Sequence, residues 1–507
     1  MFYLSSLIFL PLLGGIALLF LPKDRGPLIR WAALGVAAIE LILSLVLALL
    51  YVESTISIFS SSQFRENITW ISSLGINYSL DIDGVSLLLV VLTTLLTAIC
   101  IAASFGNERK VKNYMAFMLL FESGMLGVFL SSNLFLFYIF WEVMLIPAYF
   151  LLGSWGGPRR IYAAFKFVIY TSVGSFLMLA GIIALGYYHQ QATGSYTLDI
   201  NALLTTAKTL DPTVQIWLFL AFAAAFAVKV PFVPFHSWLP DAYSEAPAAV
   251  TALLAGAMSK TGAYGFLRLC IPLFPQAAQT LAPVFSILAL VGILYCALMA
   301  LVQTDLKRLL GYSSISHLGV VMLGMFSFTS QGVEGSVLQM VNHGITIAAL
   351  FLLVGYLEQR TGTRRINEFG GLASRAPWLA TVMLIAALSS LGLPGLNSFA
   401  GEFITLLGVF RTNIAYGVLG TIVVVPAAWY MLRFFLTIMS GPRQTEGVVG
   451  NSLRKGTFKD ISFGEFWTVA PLLALIFVFG VLPAPLIWVL EQSVPNLLAT
   501  LGNAFIR

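Results

Sequence analysis

The stretch Ile216-Trp-Leu-Phe-Leu-Ala-Phe-Ala-Ala-Ala-Phe-Ala-Val-Lys-Val-Pro-Phe-Val-Pro-Phe-His236 carries an apolar run into a single lysine and then into a cluster of prolines. The run over 211–230 approaches the ~20 residues that cross ~30 Å of hydrocarbon. Pro231 and Pro234, with Pro240 beyond them, remove backbone donors and stop the helix. Unwound backbone at membrane depth survives only where protein or a wet cavity satisfies it, and such breaks recur at the ion sites of transporters. Lys229 stands just before the break, where the negative end of the helix dipole and the freed carbonyls favour an ammonium.

The rest of the chain agrees with a membrane setting. Of 507 residues, 59% are apolar and 10% charged, against roughly 25% charged in soluble domains. That is too little charge to cover a soluble surface, whereas a bilayer tolerates exposed Leu, Val and Phe. Cys100, Cys270 and Cys296 show no CxxC pairing, which argues against a disulfide framework and against a thiolate metal or iron–sulfur site. No HxxxH or HxH spacing occurs, so no zinc site is read either. The first apolar run precedes its basic residues Lys23, Arg25 and Arg30, the reverse of a signal peptide, and reads as a retained helix.

Fourteen apolar stretches are read as spans, at about 3–22, 29–52, 84–104, 113–131, 133–154, 162–188, 211–230, 245–272, 279–302, 306–328, 331–358, 376–411, 413–439 and 464–490. The expected fold class is an all-α membrane protein whose seventh and twelfth spans are interrupted, the twelfth by Gly392-Leu-Pro-Gly395. Connections after odd-numbered spans hold eighteen Lys and Arg, among them Arg109, Arg159, Arg364 and Arg443, whereas those after even-numbered spans hold Arg65, Lys208 and Arg411. The positive-inside rule then puts both termini on the outer or lumenal side. The net charge of +5 reflects cytoplasmic loops, not nucleic-acid binding.

Spans four to eight and nine to thirteen read as two five-helix units of opposite orientation, each with its interrupted helix in fourth place. Ala164-Phe-Lys-Phe-Val-Ile-Tyr170 matches Val337-Leu-Gln-Met-Val-Asn-His343 weakly, placing Lys166 opposite Gln339 and Tyr170 opposite His343. The expected organisation is a three-helix segment at 1–110, a first repeat at 111–275, an inverted second repeat at 276–440 and a loop with a last helix at 441–507. Inverted repeats are a device of secondary transport.

An ionisable residue inside a span costs ~2.5–3.5 kcal/mol on insertion scales. Four stand near the midplane: Glu142 in the fifth span, Lys229 in the seventh, Lys260 in the eighth and Glu402 in the twelfth. Static ion pairs would account for them structurally. Away from water, however, either type of group favours its neutral form and so can load and unload a proton. Of the four histidines, His236, His317 and His343 lie within or against spans, while His189, near a helix end, is expected to be solvated and incidental. Glu122 and Lys166 form a second tier, either facing the first-repeat site or, for Lys166, snorkelling toward Arg159 and Arg160. Asp241 and Glu245 read equally as proton collectors and as helix caps.

Four strings together resemble a known family: Phe140-Trp-Glu-Val-Met-Leu-Ile-Pro147, Lys229-Val-Pro-Phe-Val-Pro-Phe-His-Ser-Trp-Leu-Pro-Asp-Ala242, Asp305-Leu-Lys-Arg-Leu-Leu-Gly-Tyr-Ser-Ser-Ile-Ser-His-Leu-Gly319 and Leu393-Pro-Gly-Leu-Asn-Ser-Phe-Ala-Gly-Glu-Phe403. The chain resembles the subunit M (chain 4, NdhD-like) family of proton-translocating NADH–quinone oxidoreductase over nearly its whole length. The resemblance implies a membrane-arm subunit of an enzyme that couples quinone reduction elsewhere to proton pumping. It implies that Glu142 pairs with Lys229, that Lys260 is the central relay, that Glu402 ends the path, and that His236, His317 and His343 line it. It implies L-like and N-like antiporter subunits and small membrane subunits as partners, with NADH or ferredoxin, iron–sulfur clusters and quinone held by partners and no cofactor here. A bacterial plasma membrane or a thylakoid is the implied location. Tyr243, where the family often has His, and Asn133, where it often has Asp, depart from the pattern. The alternative is an Mrp-type cation/proton antiporter subunit or a membrane-bound hydrogenase subunit.

Overall fold

The computed structural model describes residues 2–56, 64–72, 75–442, 447–456, 458–491 and 493–501. Arg443, counted among the loop cations, lies outside them. The chain is a mostly helical membrane protein. Its first layer is α1 (Tyr3–Leu18), α2 (Gly26–Ile56), α3 (Gly84–Ala103) and α4 (Val111–Leu130). Then follow α5 (Leu134–Val143), α6 (Leu145–Trp155), α7 (Arg160–Thr193), the short α8 (Ile200–Ala207) and α9 (Pro212–Lys229). After α10 (Trp238–Glu245), a continuous helical run consists of α11 (Ala248–Leu253), α12 (Ser259–Gly265) and α13 (Ile271–Leu273), joined by wider π-helical turns at Leu254–Met258 and Phe266–Cys270. The second half contains α14 (Pro275–Leu301), α15 (Leu306–Met325), α16 (Ser330–Thr361), α17 (Pro377–Ser390), α18 (Asn397–Thr412), α19 (Ile414–Ile422) and α20 (Val424–Phe435). It closes with α21 (Gly447–Lys455), α22 (Phe463–Val481), α23 (Ala484–Leu490) and α24 (Ser493–Ala499).

Among the described residues ten helices are long and apolar enough to cross a membrane. The four further spans expected from sequence fall on α1, on α11–α13, on α15 and on the α17–α18 pair. The first is only 16 residues long. The others are broken by π-helical turns or a loop, or made more polar by Lys307, Arg308 and a run of serines. An all-α fold also needs one correction. Glu66–Ile71 and Ile76–Leu80 form an antiparallel hairpin with Ile68 opposite Tyr78. Its Glu66 carboxylate takes the Leu4 and Ser5 amides at 2.7 and 3.1 Å, so the hairpin satisfies the orphan donors that begin α1.

The core is centred on α16, whose apolar window is wholly buried. It packs against α3, α11, α15, α17, α18 and α22. The outer helices α2, α7, α20 and α22 present bare aromatic and aliphatic side chains such as Trp31, Phe176, Trp429 and Trp467, the surface that suits hydrocarbon. Gly335 lies so close to α18 that a Cβ would stand 2.3 Å from the Thr405 nitrogen. A stripe of small residues is what lets two helices approach this far in a membrane protein.

Both expected breaks are present, and their backbone groups find partners. After Lys229 the Val228 carbonyl accepts from the Trp238 indole at 2.9 Å, and the Phe232 amide returns to Ala227 at 2.9 Å. Between α17 and α18 the turn passes through Gly392 and Gly395, at φ of +78° and +92°, values open to glycine without strain. Asn342 of α16 donates to the Asn397 carbonyl at 2.7 Å, and Asn397 donates back to the Asn342 carbonyl at 3.1 Å. A third interruption separates α5 from α6 at Met144, where Pro147 withholds the amide that Val143 would have bonded.

Candidate functional site

Glu142 sits one residue before the end of α5, directly ahead of the Met144 kink. Lys229 ends α9 and is fully buried. Its ammonium makes no hydrogen bond and stands 4.7 Å from the centre of the Trp141 ring and 5.9 Å from that of Phe167. The quadrupoles of the two rings supply part of the attraction that water would have given. Glu142 supplies the nearest opposite field, yet no ion pair within 4 Å joins the two. Gly262 of α12 packs on this point, where a Cβ would meet the Lys229 Cβ at 2.9 Å. The helix carrying Lys260 is thus pressed against the one carrying Lys229.

Lys260 is also fully buried, and its surroundings differ. It follows the π-helical turn Leu254–Met258, and its Nζ reaches back to the Ala255 carbonyl at 2.6 Å and the Ser259 hydroxyl at 3.3 Å. The third partner is Nδ1 of His343, at 2.8 Å across the interface with α16. His343 faces His317 of α15 with ring centroids 5.6 Å apart. Nδ1 of His317 is 2.6 Å from Oε1 of Glu402 on α18, which also accepts from Gln339 Nε2 at 2.9 Å. Nε2 of His317 faces the Tyr430 hydroxyl at 3.5 Å, and that hydroxyl is 3.0 Å from Ser313. Lys260, His343, His317 and Glu402 therefore form one row through four elements.

The second-tier residues lie elsewhere. Lys166 does not snorkel: it donates to Asp241 at 2.8 Å and to the Ser237 carbonyl at 2.9 Å, inside the break after α9. Asp241 is shared with Arg308 at 2.8 Å, and Glu245 takes the Arg159 amide at 2.8 Å, so neither acid caps α11. Glu122 is buried with no close hydrogen-bond partner on either oxygen, and the groups that bear on it are Glu40 of α2 and the Thr97 hydroxyl of α3, not the first-repeat site. His236 packs edge-on against Tyr295 with its Nδ1 unpartnered and makes no hydrogen bond to the Lys260 row. His189 is buried, with Nδ1 2.7 Å from the Thr206 hydroxyl, and is not solvated. Sequence reading missed Tyr430 and Glu40. The first is an uncharged residue in an apolar run. The second, a lone Glu in Ile39-Glu-Leu41 at mid-span, carries the same signal as Glu142.

A cavity of about 510 Å³ opens where α10 meets α11, lined by Tyr114, Trp155, Glu245, Lys307 and Arg364 among others. Beyond it the Tyr243 hydroxyl donates to the Leu254 carbonyl at 3.2 Å, one turn from Ser259 and Lys260. No group of three or more His, Cys, Asp or Glu able to hold a metal occurs among the described residues.

Residues 131–426 match the profile of a family described as NADH:quinone oxidoreductase/Mrp antiporter, TM. The chain is 39% identical over 497 residues to NADH-quinone oxidoreductase subunit M of Rickettsia bellii, covering 98% of both chains. It is 40% identical over 498 residues to NADH-ubiquinone oxidoreductase chain 4 of Arabidopsis thaliana, covering 98% of this chain and 97% of that one. Among solved structures it resembles a chain of respiratory complex I from Thermus thermophilus with bound NADH. The TM-score is 0.87 at 31% identity, over 98% of this chain and all of that one.

Proposed function

The chain belongs to the NADH:quinone oxidoreductase/Mrp antiporter family of membrane subunits, and from that premise we propose how its buried charges serve it. It is a proton-translocating membrane-arm subunit of an NADH–quinone oxidoreductase, the subunit M or chain 4 type. Protons pass along Lys260, His343, His317 and Glu402, and the Glu142–Lys229 pair sets when Lys260 can take one up.

The row of contacts from Lys260 to Glu402 carries this reading. A proton can sit on either side of the Lys260–His343 bond with the contact kept. As an ammonium, Lys260 donates to the carbonyl, the hydroxyl and the imidazole. As an amine it donates to the first two and accepts from the imidazole. The His317–Glu402 bond exchanges a proton in the same way. Only the step between the two imidazoles requires a side chain to move. Beside Lys229, loss of the Glu142 charge raises the cost of the ammonium, and Lys229 then bears on Lys260 across the Gly262 contact. We place proton uptake at the Glu245–Lys307 cavity, with Tyr243 and Ser259 leading to Lys260. His236, Glu122 and Lys166 lie outside this row.

We extend the reading to the whole chain. α1, α11–α13, α15 and the α17–α18 pair complete fourteen spans, with both termini on the outer side and the segments divided near 110, 275 and 440. Two parallels support an inverted repeat. The long α7 packs against the broken α9–α10, and the long α16 against the broken α17–α18. Lys166 binds inside the first break, while its expected counterpart Gln339 binds Glu402 just after the second. The chain's partners are L-like and N-like antiporter subunits and small membrane subunits, and other subunits of the complex hold the iron–sulfur clusters and the sites for NADH or ferredoxin and for quinone. The curated relatives cited favour this over a gradient-driven Mrp role.

The test is Lys229→Ala and Glu142→Ala in the assembled complex, with proton pumping and quinone reduction measured together. Both activities fall together and the complex still assembles, while Glu142→Asp retains part of each. Pumping at the wild-type level in either alanine variant refutes the assignment.

A further inference from the structure

Glu40 of α2 and Glu122 of α4 belong to none of these pathways. Each is wholly buried, and none of their four oxygens has a hydrogen-bond partner. Packing around α1 puts them at one level. Gly14 abuts Val36 of α2, Gly15 abuts Ala116 of α4, and Ser123 donates to the Ile8 carbonyl. Glu40 and Glu122 are each a turn or more further along their helices in the same direction, and the charge of Glu40 reaches Glu122.

The hydroxyls nearby all have other partners, and the one within reach of Glu122 is Thr97. The Ser44 and Thr94 hydroxyls are 2.7 Å apart, one donating to the other, and lie 2.8 Å from the Leu41 carbonyl and 3.1 Å from the Val91 carbonyl respectively. Thr97 donates to Thr93 at 2.9 Å, Ser123 to Ile8 at 2.8 Å and Tyr3 to Leu43 at 2.8 Å. A carboxylate accepts only, so two ionised Glu here would have the Thr97 hydroxyl as a donor and little else, whereas a protonated one has a hydrogen to offer to the other acid or to a hydroxyl oxygen. Two facing carboxylates away from water, with no cation between them, cannot both be ionised. Among the described residues Tyr3 on α1 is the other titratable group within reach, and α3 brings no charge. Glu142 sits past the Met144 contact with Gly124, and its field falls on Lys229 and Tyr138.

We propose that Glu40 and Glu122 form a proton-binding carboxyl pair, a second protonatable site separated from Lys260 and His343 by α3 alone. The far side of α3 touches the lysine's own turn. A Cβ on Gly256 would meet Leu96 at 2.4 Å, and one on Gly344, beside His343, would meet Leu92 at 2.8 Å. A proton gained or lost at the pair therefore changes the charge one helix away from the relay.

The test is infrared spectroscopy of the purified complex containing this chain, at neutral pH in H2O and D2O, for wild type, Glu40→Gln, Glu122→Gln and the double variant. The pair gives a protonated-carboxyl C=O band that shifts in D2O, changes in each single variant and disappears in the double. Should the double variant fail to assemble, Glu122→Gln alone decides by a shifted or diminished band. A variant spectrum that superposes on the wild type overturns the proposal. So does a band removed by sodium chloride but not by choline chloride, which would assign the oxygens to a metal cation.

Discussion

At Lys260 an ammonium meets three neutral acceptors and no counter-ion, whereas at Lys229 it meets two aromatic faces and a carboxylate held off at a distance. The first arrangement accommodates either protonation state, and the second favours the charged one only while Glu142 is ionised. Lys260→Ala leaves His343 without its partner and removes the central carrier of the proposed path. Pumping by the assembled complex should drop about a hundredfold or more, the low end of what such groups contribute, as the rate of proton uptake will show. Trp141→Leu removes the ring beneath Lys229 while keeping an apolar filling. A cost of about 1–2 kcal/mol is expected for a desolvated cation–π contact, read as a lower thermal midpoint of the complex. No change in midpoint would mean that Lys229 is held by something other than the ring.

Among the elements, the interrupted helices are where sequence was most legible, because proline and glycine act through the backbone and leave their signature in the string. Pro231 and Pro234 end α9, and Gly392 and Gly395 turn the chain between α17 and α18, where the reading placed the breaks. What satisfies the breaks was not legible. The Trp238 indole and the Asn342–Asn397 amides reach over ten and fifty-five residues, and nothing local announces such contacts. The hairpin at 66–80 was hidden similarly, since its role is to present Glu66 to α1 from sixty-two residues away. Packing at Gly262 gives a prediction at this scale. Gly262→Ala drives a methyl into the Lys229 Cβ and the Val230 backbone and should cost about 1–3 kcal/mol as overpacking. It should also lower pumping more than Gly35→Ala, where a Cβ meets nothing within 4 Å. Equal activity in the two variants would show that the α9–α12 contact does not transmit between the lysines.

Across the whole molecule, the buried polar groups lie along an apolar scaffold: Glu142 and Lys229 at one end, Lys260 in the middle, Glu402 at the other, and Glu40 with Glu122 to one side. The four main charges stood out because a charge in a span is conspicuous, and His317 and His343 because they recur on neighbouring spans. Their order of contact, the place of Gln339 and Tyr430, and the diversion of Lys166 to Asp241 depend on how distant helices pack, which periodicity does not encode. The most direct measurement is the number of protons moved per quinone reduced by the complex in sealed liposomes, comparing wild type with Glu402→Gln. Gln339 and His317 keep a partner of the same shape in that variant, so folding is spared while the last group of the proposed path is lost. The account predicts a lower ratio for Glu402→Gln with the complex intact. A ratio equal to wild type would contradict it, for protons would then be leaving by a path that avoids Glu402.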